Sequence, residues 1–356
     1  MAVRSGAYVH IPFCARRCDY CAFATWTDRH HLTTRYLAGV RTEIERAVEN
    51  GMEPVDSIFV GGGTPSMVPP DELIGVLDAI PRTGDAEVTI ECNPDDVTLD
   101  MMQVFRAGGV NRISLGVQSL APHVLAALGR THDPVSVGRA VEHIRAAGVP
   151  TFNLDIIYGA AGESLADWEA TVRGILALDP PHVSAYGLTV EPGTPLATTP
   201  ERHPDDDDQA DKYEMVDELL TASGRPWYEV SNWAHPGHEC RHNLMTWGQG
   251  DYRGFGCAAH SHVSGRRWWN VRTPDRYVDL VEGGRPVEAS GETLDADARH
   301  LESLHLALRT RDGVPRDAFD ASDIEQLEGL VEWVGDRWVL TRAGRLLANE
   351  VSLRVR

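Results

Sequence analysis

Three cysteines lie close together near the start of the chain with the spacing C-x3-C-x2-C: Cys14, Cys18 and Cys21. Cysteine thiolates bind iron–sulfur clusters, and a [4Fe–4S] cluster usually takes four of them. The position two residues after Cys21 is Phe23, so this loop offers only three. Three thiolates leave one iron free for a small ligand, as a catalytic metal keeps one position open. The spacing therefore predicts a cluster with an open iron; the alternatives are a zinc site, which favours two ligand pairs, and unliganded core thiols.

The cysteine loop follows a short apolar run, and strand-like and helix-like runs then alternate to about residue 190. The predicted strands are Ala7–Ile11, Ser57–Val60, Glu87–Glu91, Arg112–Leu115, Phe152–Ile157 and His182–Tyr186. The predicted helices are Thr34–Val48, Pro70–Ile80, Leu99–Ala107, Pro134–Ala147 and Leu165–Leu178. This alternation indicates parallel βαβ units. Residues 1–190 are therefore predicted to form an open (β/α)6 partial TIM-type barrel, an α/β fold whose chemistry gathers at the carboxyl ends of the strands.

Glycines and polar residues follow the later predicted strands. The second strand leads into Gly61–Ser66, whose glycines let the backbone approach a ligand closely but which lacks the G-K-[ST] ending of a phosphate loop. Buried carboxylates and amides need polar partners. Glu91, Gln118 and Asp155 are therefore candidates for binding ribose hydroxyls, and Arg130 is a candidate for pairing with a carboxylate. The alternative is an internal polar network that closes the mouth of the barrel.

The cysteine spacing resembles that of the radical S-adenosylmethionine (SAM) superfamily. In that superfamily the open iron binds SAM, and the reduced cluster passes an electron to the sulfonium and releases a 5′-deoxyadenosyl radical. Further segments look like the oxygen-independent coproporphyrinogen III oxidase family: Tyr8–Cys14, Gly61–Ser66, Asn111–Ser119, Gly129–His132 and Asp155–Gly159. Three later segments resemble the HemW branch of that family, whose members are described as haem chaperones: Tyr228–Trp233, Arg241–Trp247 and Gly256–Ser261. The resemblance extends from Tyr8 to Gly344.

This resemblance implies a set of ligands and partners. Cys14, Cys18 and Cys21 would bind the [4Fe–4S] cluster. Ten residues fall at SAM-contacting positions: Tyr8, Tyr20, Gly62, Gly63, Thr64, Glu91, Gln118, Arg130, Asp155 and Thr189. The implied cofactors are the cluster and SAM, with haem as bound cargo. The implied partners are haem or a porphyrin, haem-accepting proteins, and an electron donor such as flavodoxin or ferredoxin.

Two features favour the haem chaperone over the oxidase, which converts the propionates of coproporphyrinogen III to vinyl groups and is the second hypothesis. Phe23 stands where the oxidase has a further cysteine, and only seven residues precede Tyr8, whereas the oxidase has a longer N-terminal segment that helps to hold a second SAM. One departure from the HemW pattern counts the other way, because Thr246 stands where a tyrosine is expected. The aspartate that usually follows the third cysteine is also missing, and Ala22 stands in its place. A third hypothesis is a radical SAM methyltransferase or other modification enzyme.

Residues 191–290 are predicted to form a connector and an α+β region. This region holds histidines and cysteines among tryptophans: His235, His238, Cys240, His242, Cys257, His260 and His262, with Trp227, Trp233, Trp247, Trp268 and Trp269. Haem iron takes His, Cys, Met or Tyr as axial ligands, and a porphyrin needs an apolar, aromatic-lined slot. His242 is the first candidate for a haem ligand, followed by Cys257 and His260. For any single histidine the alternative is a hydrogen-bonded core residue.

The C-terminal segment and the composition complete the prediction. Residues 291–356 contain helical runs and a hairpin over Trp333–Leu340, which together resemble a small winged-helix-like domain. The chain has a net charge of −20, with Lys212 as its only lysine, so it would repel phosphate backbones and is not expected to bind nucleic acid. A packing or partner-docking role is favoured for this domain. There is no signal-peptide pattern, no apolar run of about 18 residues and no disulfide framework, which predicts a cytoplasmic protein without indicating membrane contact.

Overall fold

A twelve-stranded sheet organises most of the chain. The structure is a computed structural model that describes residues 5–356; residues 1–4, the start of the predicted barrel domain, lie outside the described residues. The six central strands are parallel and adjacent in sequence order: β1 (Ser5–Ile11), β2 (Val55–Gly62), β3 (Arg82–Cys92), β4 (Arg112–Gln118), β5 (Thr151–Tyr158) and β6 (His182–Gly187). This arrangement confirms the predicted partial barrel.

Helices connect the parallel strands, and the apolar residues that alternate along each strand are buried on one face of the sheet. On β1 these are Ala7, Val9 and Ile11, all fully buried. Three helices begin at recognisable caps: the side chains of Thr98, Asp133 and Ser164 accept hydrogen bonds from backbone amides in the first turn of the helix that follows each of them. The helix bounds are α1 (Thr33–Glu49), α2 (Pro70–Leu77), α3 (Leu99–Ala107), α4 (Pro122–Ala127), α5 (Pro134–Ala146) and α6 (Leu165–Ala177).

The region after the barrel adds strands to both edges of the same sheet. After α7 (Asp206–Ala222), strands β7 (Trp227–Glu229) and β8 (Asn232–Ala234) extend the sheet beyond β6. Strand β9 (Asp251–Phe255) pairs in parallel with β1 at the opposite edge. The sheet continues there through three antiparallel strands, β10 (His260–Val263), β11 (Arg266–Asn270) and β12 (Glu288–Thr293), with α9 (Pro274–Glu282) inserted between the last two. Residues 191–290 therefore widen the sheet of the barrel.

The chain passes from one edge to the other beneath the amino ends of the parallel strands. We call residues 235–250 the floor segment; it contains α8 (Arg241–Trp247). The His235 amide donates to the Pro181 carbonyl just before β6, and His238 Nδ1 lies 2.8 Å from Thr151 Oγ1 at the start of β5. Arg112, at the start of β4, donates to the His238 carbonyl at 2.9 Å. Along its sequence, the floor segment therefore contacts β6 first and then β5 and β4.

The C-terminal segment has its own small core and a three-stranded antiparallel sheet. Its elements are α10 (Ala296–Leu308), β13 (Val314–Pro315), α11 (Ala321–Gln326), β14 (Val331–Val334), β15 (Arg337–Leu340), α12 (Arg342–Leu346) and α13 (Ala348–Ser352). The predicted hairpin is present as the pair β14–β15. A buried bidentate ion pair, with both N–O distances 2.8 Å, joins Arg345 of α12 to Asp217 of α7. Among residues 5–356, no helix is long and apolar enough to cross a membrane.

Candidate functional site

A cavity of about 850 Å³ opens at the carboxyl ends of the parallel strands and extends down to the floor segment. All three clustered cysteines line it, together with nine of the ten residues at the predicted SAM-contacting positions: Tyr20, Gly62, Gly63, Thr64, Glu91, Gln118, Arg130, Asp155 and Thr189. The tenth, Tyr8, does not line the cavity; its hydroxyl lies 3.1 Å from His10 Nδ1 on β1. The fold therefore gathers residues from six strand ends around one space. Their contact with SAM stays a prediction.

The glycine run after β2 positions the cysteine loop. The Gly63 amide donates to the Ile11 carbonyl and the Thr64 amide to the Phe13 carbonyl, each at 2.7 Å. A Cβ atom on Gly63 would lie only 2.6 Å from the Phe13 carbonyl oxygen, so this approach requires glycine. The far end of the loop is fixed by the Trp26 amide, which donates to the Pro12 carbonyl at 2.7 Å. The loop that carries the cysteines is thus held at both ends by backbone hydrogen bonds.

Side-chain hydrogen-bond donors lie beside two of the three cysteine sulfurs. Thr64 Oγ1 lies 3.5 Å from Cys14 Sγ, and Arg130 Nη1 lies 3.7 Å from Cys18 Sγ. Burial raises the pKa of the Cys14 and Cys21 thiols above the ordinary cysteine value. Donors at these sulfurs stabilise thiolates, which are the form that binds metal.

The cavity walls carry two half-buried carboxylates, Glu91 near the end of β3 and Asp155 on β5, with β4 between these two strands. Burial, and then the charge of Asp155, raises the pKa of Glu91 to about 8, while the Gly62 amide donates to it at 3.2 Å. Burial also raises the pKa of Asp155, which accepts hydrogen bonds from Ser114 Oγ and Asn153 Nδ2, both at 2.8 Å. Glu91 and Asp155 can therefore exchange hydrogen bonds with a polar ligand while keeping their positions.

Arg130 links the cluster loop to the cavity wall. Its Nη2 donates to Asn93 Oδ1 at 2.8 Å and to the Gly116 carbonyl at 3.0 Å, so its guanidinium is fixed across the ends of β3 and β4. Nearby, Gln118 adopts a left-handed backbone with φ of 63°, unusual for a residue other than glycine, and its side chain lines the cavity. Such backbone strain occurs preferentially at functional sites.

The three candidate haem ligands lie outside this cavity lining and in different surroundings. His242 is only 7% exposed; its Nδ1 lies 3.0 Å from Ser57 Oγ, and burial lowers its pKa to about 4. Cys257 is fully buried with its Sγ 3.6 Å from Tyr36 Oη. His260 is exposed and stacks on Trp269, with ring centroids 5.6 Å apart. Binding of haem by any of the three stays a prediction.

Four cavity residues were not among the ligands predicted from the sequence. His132 is buried, and neither ring nitrogen has a hydrogen-bond partner within residues 5–356. His182, Cys240 and Asn243 line the deep end, and the last two come from the floor segment. Their position depends on how the chain crosses beneath the barrel, which the local sequence does not reveal.

The donor set and the space fit the implied cluster and SAM. Three thiols from one loop reach the cavity. Beside that loop only glycine fits at position 63, because a Cβ atom there would clash with the backbone. Within the described residues, no three His, Cys, Asp or Glu side chains are arranged around a single metal ion. Ligands of a four-iron cluster each bind a different iron, so convergence on one point is not required of them.

Comparison with known proteins gives consistent matches. Residues 8–175 match the family model described as the radical SAM superfamily. A protein named heme chaperone HemW from Mycobacterium tuberculosis is 42% identical, over 97% of this chain and 93% of its own length. The protein of the same name from Escherichia coli is 35% identical, over 97% and 96%. The solved structure of the Escherichia coli coproporphyrinogen III oxidase HemN, a radical SAM enzyme, has a TM-score of 0.84 at 24% identity, covering 99% of this chain and 90% of that chain; it shares the fold.

Proposed function

Because the chain belongs to the HemW family within the radical SAM superfamily, we propose that it is a haem chaperone, which binds a [4Fe–4S] cluster, SAM and haem and delivers the haem to acceptor proteins. The observation that carries this proposal is the similarity to proteins named heme chaperone HemW over 97% of the chain. The cavity supports the cofactor part, since its three thiols and its polar walls match what the cluster and SAM require.

In this proposal each group around the cavity has a defined task. Cys14, Cys18 and Cys21 hold the cluster, and Thr64 and Arg130 donate hydrogen bonds to its ligand sulfurs. The cavity residues at the predicted SAM positions bind and orient SAM. When bound, the reduced cluster supplies a single electron at its open iron.

A small electron carrier such as flavodoxin or ferredoxin is the proposed reductant. Ala22 and Phe23, next to Cys21, are exposed, and so are Arg16 and Arg17 within the cysteine loop. A carrier can therefore approach the cluster side of the cavity, and two arginines favour an acidic surface on that partner.

The second candidate function is oxidative decarboxylation of coproporphyrinogen III, because the chain shares its fold with the oxidase HemN. Two measurements on anaerobically reconstituted protein separate the candidates: titration with haem, followed by the Soret band, and incubation with SAM, dithionite and coproporphyrinogen III. We expect stoichiometric haem binding, haem transfer to added apomyoglobin, and no vinyl product. Formation of protoporphyrinogen IX would reverse this ranking. Failure to bind haem would overturn the chaperone proposal and leave a modification enzyme as the better hypothesis.

A further inference from the structure

The chain between β6 and α7 contacts the middle of the cysteine loop. We call residues 188–205 the β6–α7 segment. Its Leu196 amide donates to the Asp19 carbonyl at 3.0 Å, and its Arg202 donates from Nη2 to Asp19 Oδ2 at 2.9 Å. Asp19 directly follows the second cysteine of the loop. The loop is therefore held near its centre as well as at its two ends.

The residues just after α4 contact the same aspartate. The Asp19 amide donates to the Leu128 carbonyl at 3.4 Å. Gly129 has a φ of 71°, and a Cβ atom there would lie 2.8 Å from Asp19 Oδ1 and 3.1 Å from the Asp19 nitrogen, so this approach requires glycine. The next residue is Arg130, whose Nη1 lies 3.7 Å from Cys18 Sγ. A displacement of Asp19 would therefore also disturb the backbone that carries this arginine.

Arg202 joins the cysteine loop to α4. Its Nη2 donates both to Asp19 and to the carbonyl of Ala127, the last residue of α4. Only 27% of the Arg202 side chain and 28% of the Asp19 side chain are exposed. Salt screens such a half-buried pair less than it screens a pair on the surface. The guanidinium thus connects the β6–α7 segment, α4 and the cysteine loop.

The β6–α7 segment also packs against Tyr20, the residue after Asp19. Leu188 and Leu196 of this segment belong to a small buried apolar cluster, and Tyr20 packs against that cluster. Thr189 comes from the same segment and lines the cavity, as Tyr20 does. Both residues fall at predicted SAM-contacting positions. One segment therefore forms part of the cavity wall and holds the loop beside it.

We propose that Asp19 and Arg202 are positioning residues for the iron–sulfur cluster. This inference rests on the proposed function and adds two residues that act on the cluster from outside the cavity. Neither side chain lines the cavity, so neither is a ligand. Their ion pair fixes the backbone between Cys18 and Tyr20, and with it the direction from which the Cys18 thiolate reaches its iron. A looser loop releases this thiolate more often, so iron is lost faster.

The test is the rate at which ferrozine removes iron from the anaerobically reconstituted full chain. We expect Arg202→Ala to lose iron roughly fivefold faster than wild type, because a half-buried ion pair is removed. Arg202→Lys keeps the charge and should recover most of the wild-type rate. The matched control is Arg41→Ala, which breaks an exposed pair with Glu45 of the same 2.9 Å N–O distance on α1 and should match wild type.

A second measurement separates positioning of the cluster from general stability. A purely structural effect would lower the urea midpoint and leave the electron paramagnetic resonance spectrum of the reduced protein unchanged. We expect Arg202→Ala to shift the g values, because the Cys18 thiolate meets its iron at a different angle, and Arg202→Lys to restore them. Asp19→Ala should reproduce these changes. The double variant should add little to either single one, since both substitutions remove the same contact.

Asp19→Asn covers the case in which Arg202→Ala does not fold. It keeps an acceptor oxygen and removes the charge, so we expect an intermediate rate of iron loss. Wild-type iron loss and wild-type g values in folded variants of both Asp19 and Arg202 would overturn this inference and leave the proposed cofactors intact. A wild-type protein that takes up no iron and sulfide would instead overturn the cofactor part of the proposed function, and this inference with it.

Discussion

The carboxylate of Glu87, on β3, accepts a hydrogen bond from the backbone N–H of His242, on α8, at 3.0 Å. Its second oxygen accepts one from the N–H of Arg241 at 3.1 Å. The first amides of a helix have no partner within the helix, so Glu87 supplies the acceptors that α8 lacks. A residue of the barrel wall thus sets the position of the floor helix, and with it the position of Asn243 in the cavity.

Replacing Glu87 with alanine should destabilise the whole fold. The variant leaves two buried amides without acceptors, which costs roughly 3 kcal/mol since both hydrogen bonds go to a charged group. We expect a clearly lower urea midpoint by circular dichroism. The control is Asp85→Ala, whose side chain is 83% exposed and 3.9 Å from Arg241; such a pair contributes about 0.5 kcal/mol or less. Equal midpoints for the two variants would contradict the capping role of Glu87.

The three clustered cysteines should be required for the cluster and the other cysteines dispensable. Cys14→Ala, Cys18→Ala or Cys21→Ala removes one of three thiolates, so we expect loss of most iron and acid-labile sulfide after anaerobic reconstitution. Cys240→Ala and Cys257→Ala are matched controls, because these thiols are buried and lie outside the cysteine loop. Iron retained at wild-type level in all three loop variants would rule out the cluster, and zinc in the purified protein would favour the alternative metal site.

Arg130→Ala should weaken SAM binding. The guanidinium is held by Asn93 and the Gly116 carbonyl at the cavity wall, where a charged hydrogen bond to a ligand is worth about 1.5–3 kcal/mol, or roughly 10- to 150-fold in affinity. Isothermal titration calorimetry of the reconstituted protein measures this. Arg139, which is exposed on α5, provides the control variant Arg139→Ala. Unchanged affinity in an Arg130→Ala protein with full cluster content would exclude Arg130 from the SAM site.

Glu91 should make the SAM-free protein less stable as the pH rises. Burial and the charge of Asp155 raise its folded pKa to about 8 from 4.5, so between these values the folded state binds more protons than the unfolded state. Stability therefore falls with increasing pH across this window, by about 1 kcal/mol per pH unit. Glu91→Gln removes this contribution. Urea midpoints of both proteins from pH 5 to 8 should diverge, with wild type falling relative to the variant; parallel curves would show that Glu91 ionises normally.

The predictable part of this fold lies where hydrophobic periodicity is strong. Val9, Ile58 and Ile113 sit in apolar runs long enough to mark strands, and the cysteine spacing is local, so the barrel and the cluster loop followed from the sequence. Strands such as β7, with three residues, carry too little hydrophobic pattern to be recognised as the edge strand of a sheet. The pairing of His260 with Trp269 depends on the antiparallel register of two strands. The position of Cys240 at the cavity depends on how the floor segment crosses beneath the parallel strands. The spacing of residues within a short stretch of sequence predicts neither.

The floor segment also ties the first strand of the open barrel to its last strand. It leaves β8 at Ala234, which pairs with β6, and reaches β9 at Asp251, which pairs with β1, so it joins the two ends of the parallel barrel. The two ends of the barrel cannot move apart unless this segment becomes extended or loses its hydrogen bonds to the strands above it. A single proteolytic cut there would disconnect the two ends of the barrel, and we expect the barrel to open while its strands stay paired.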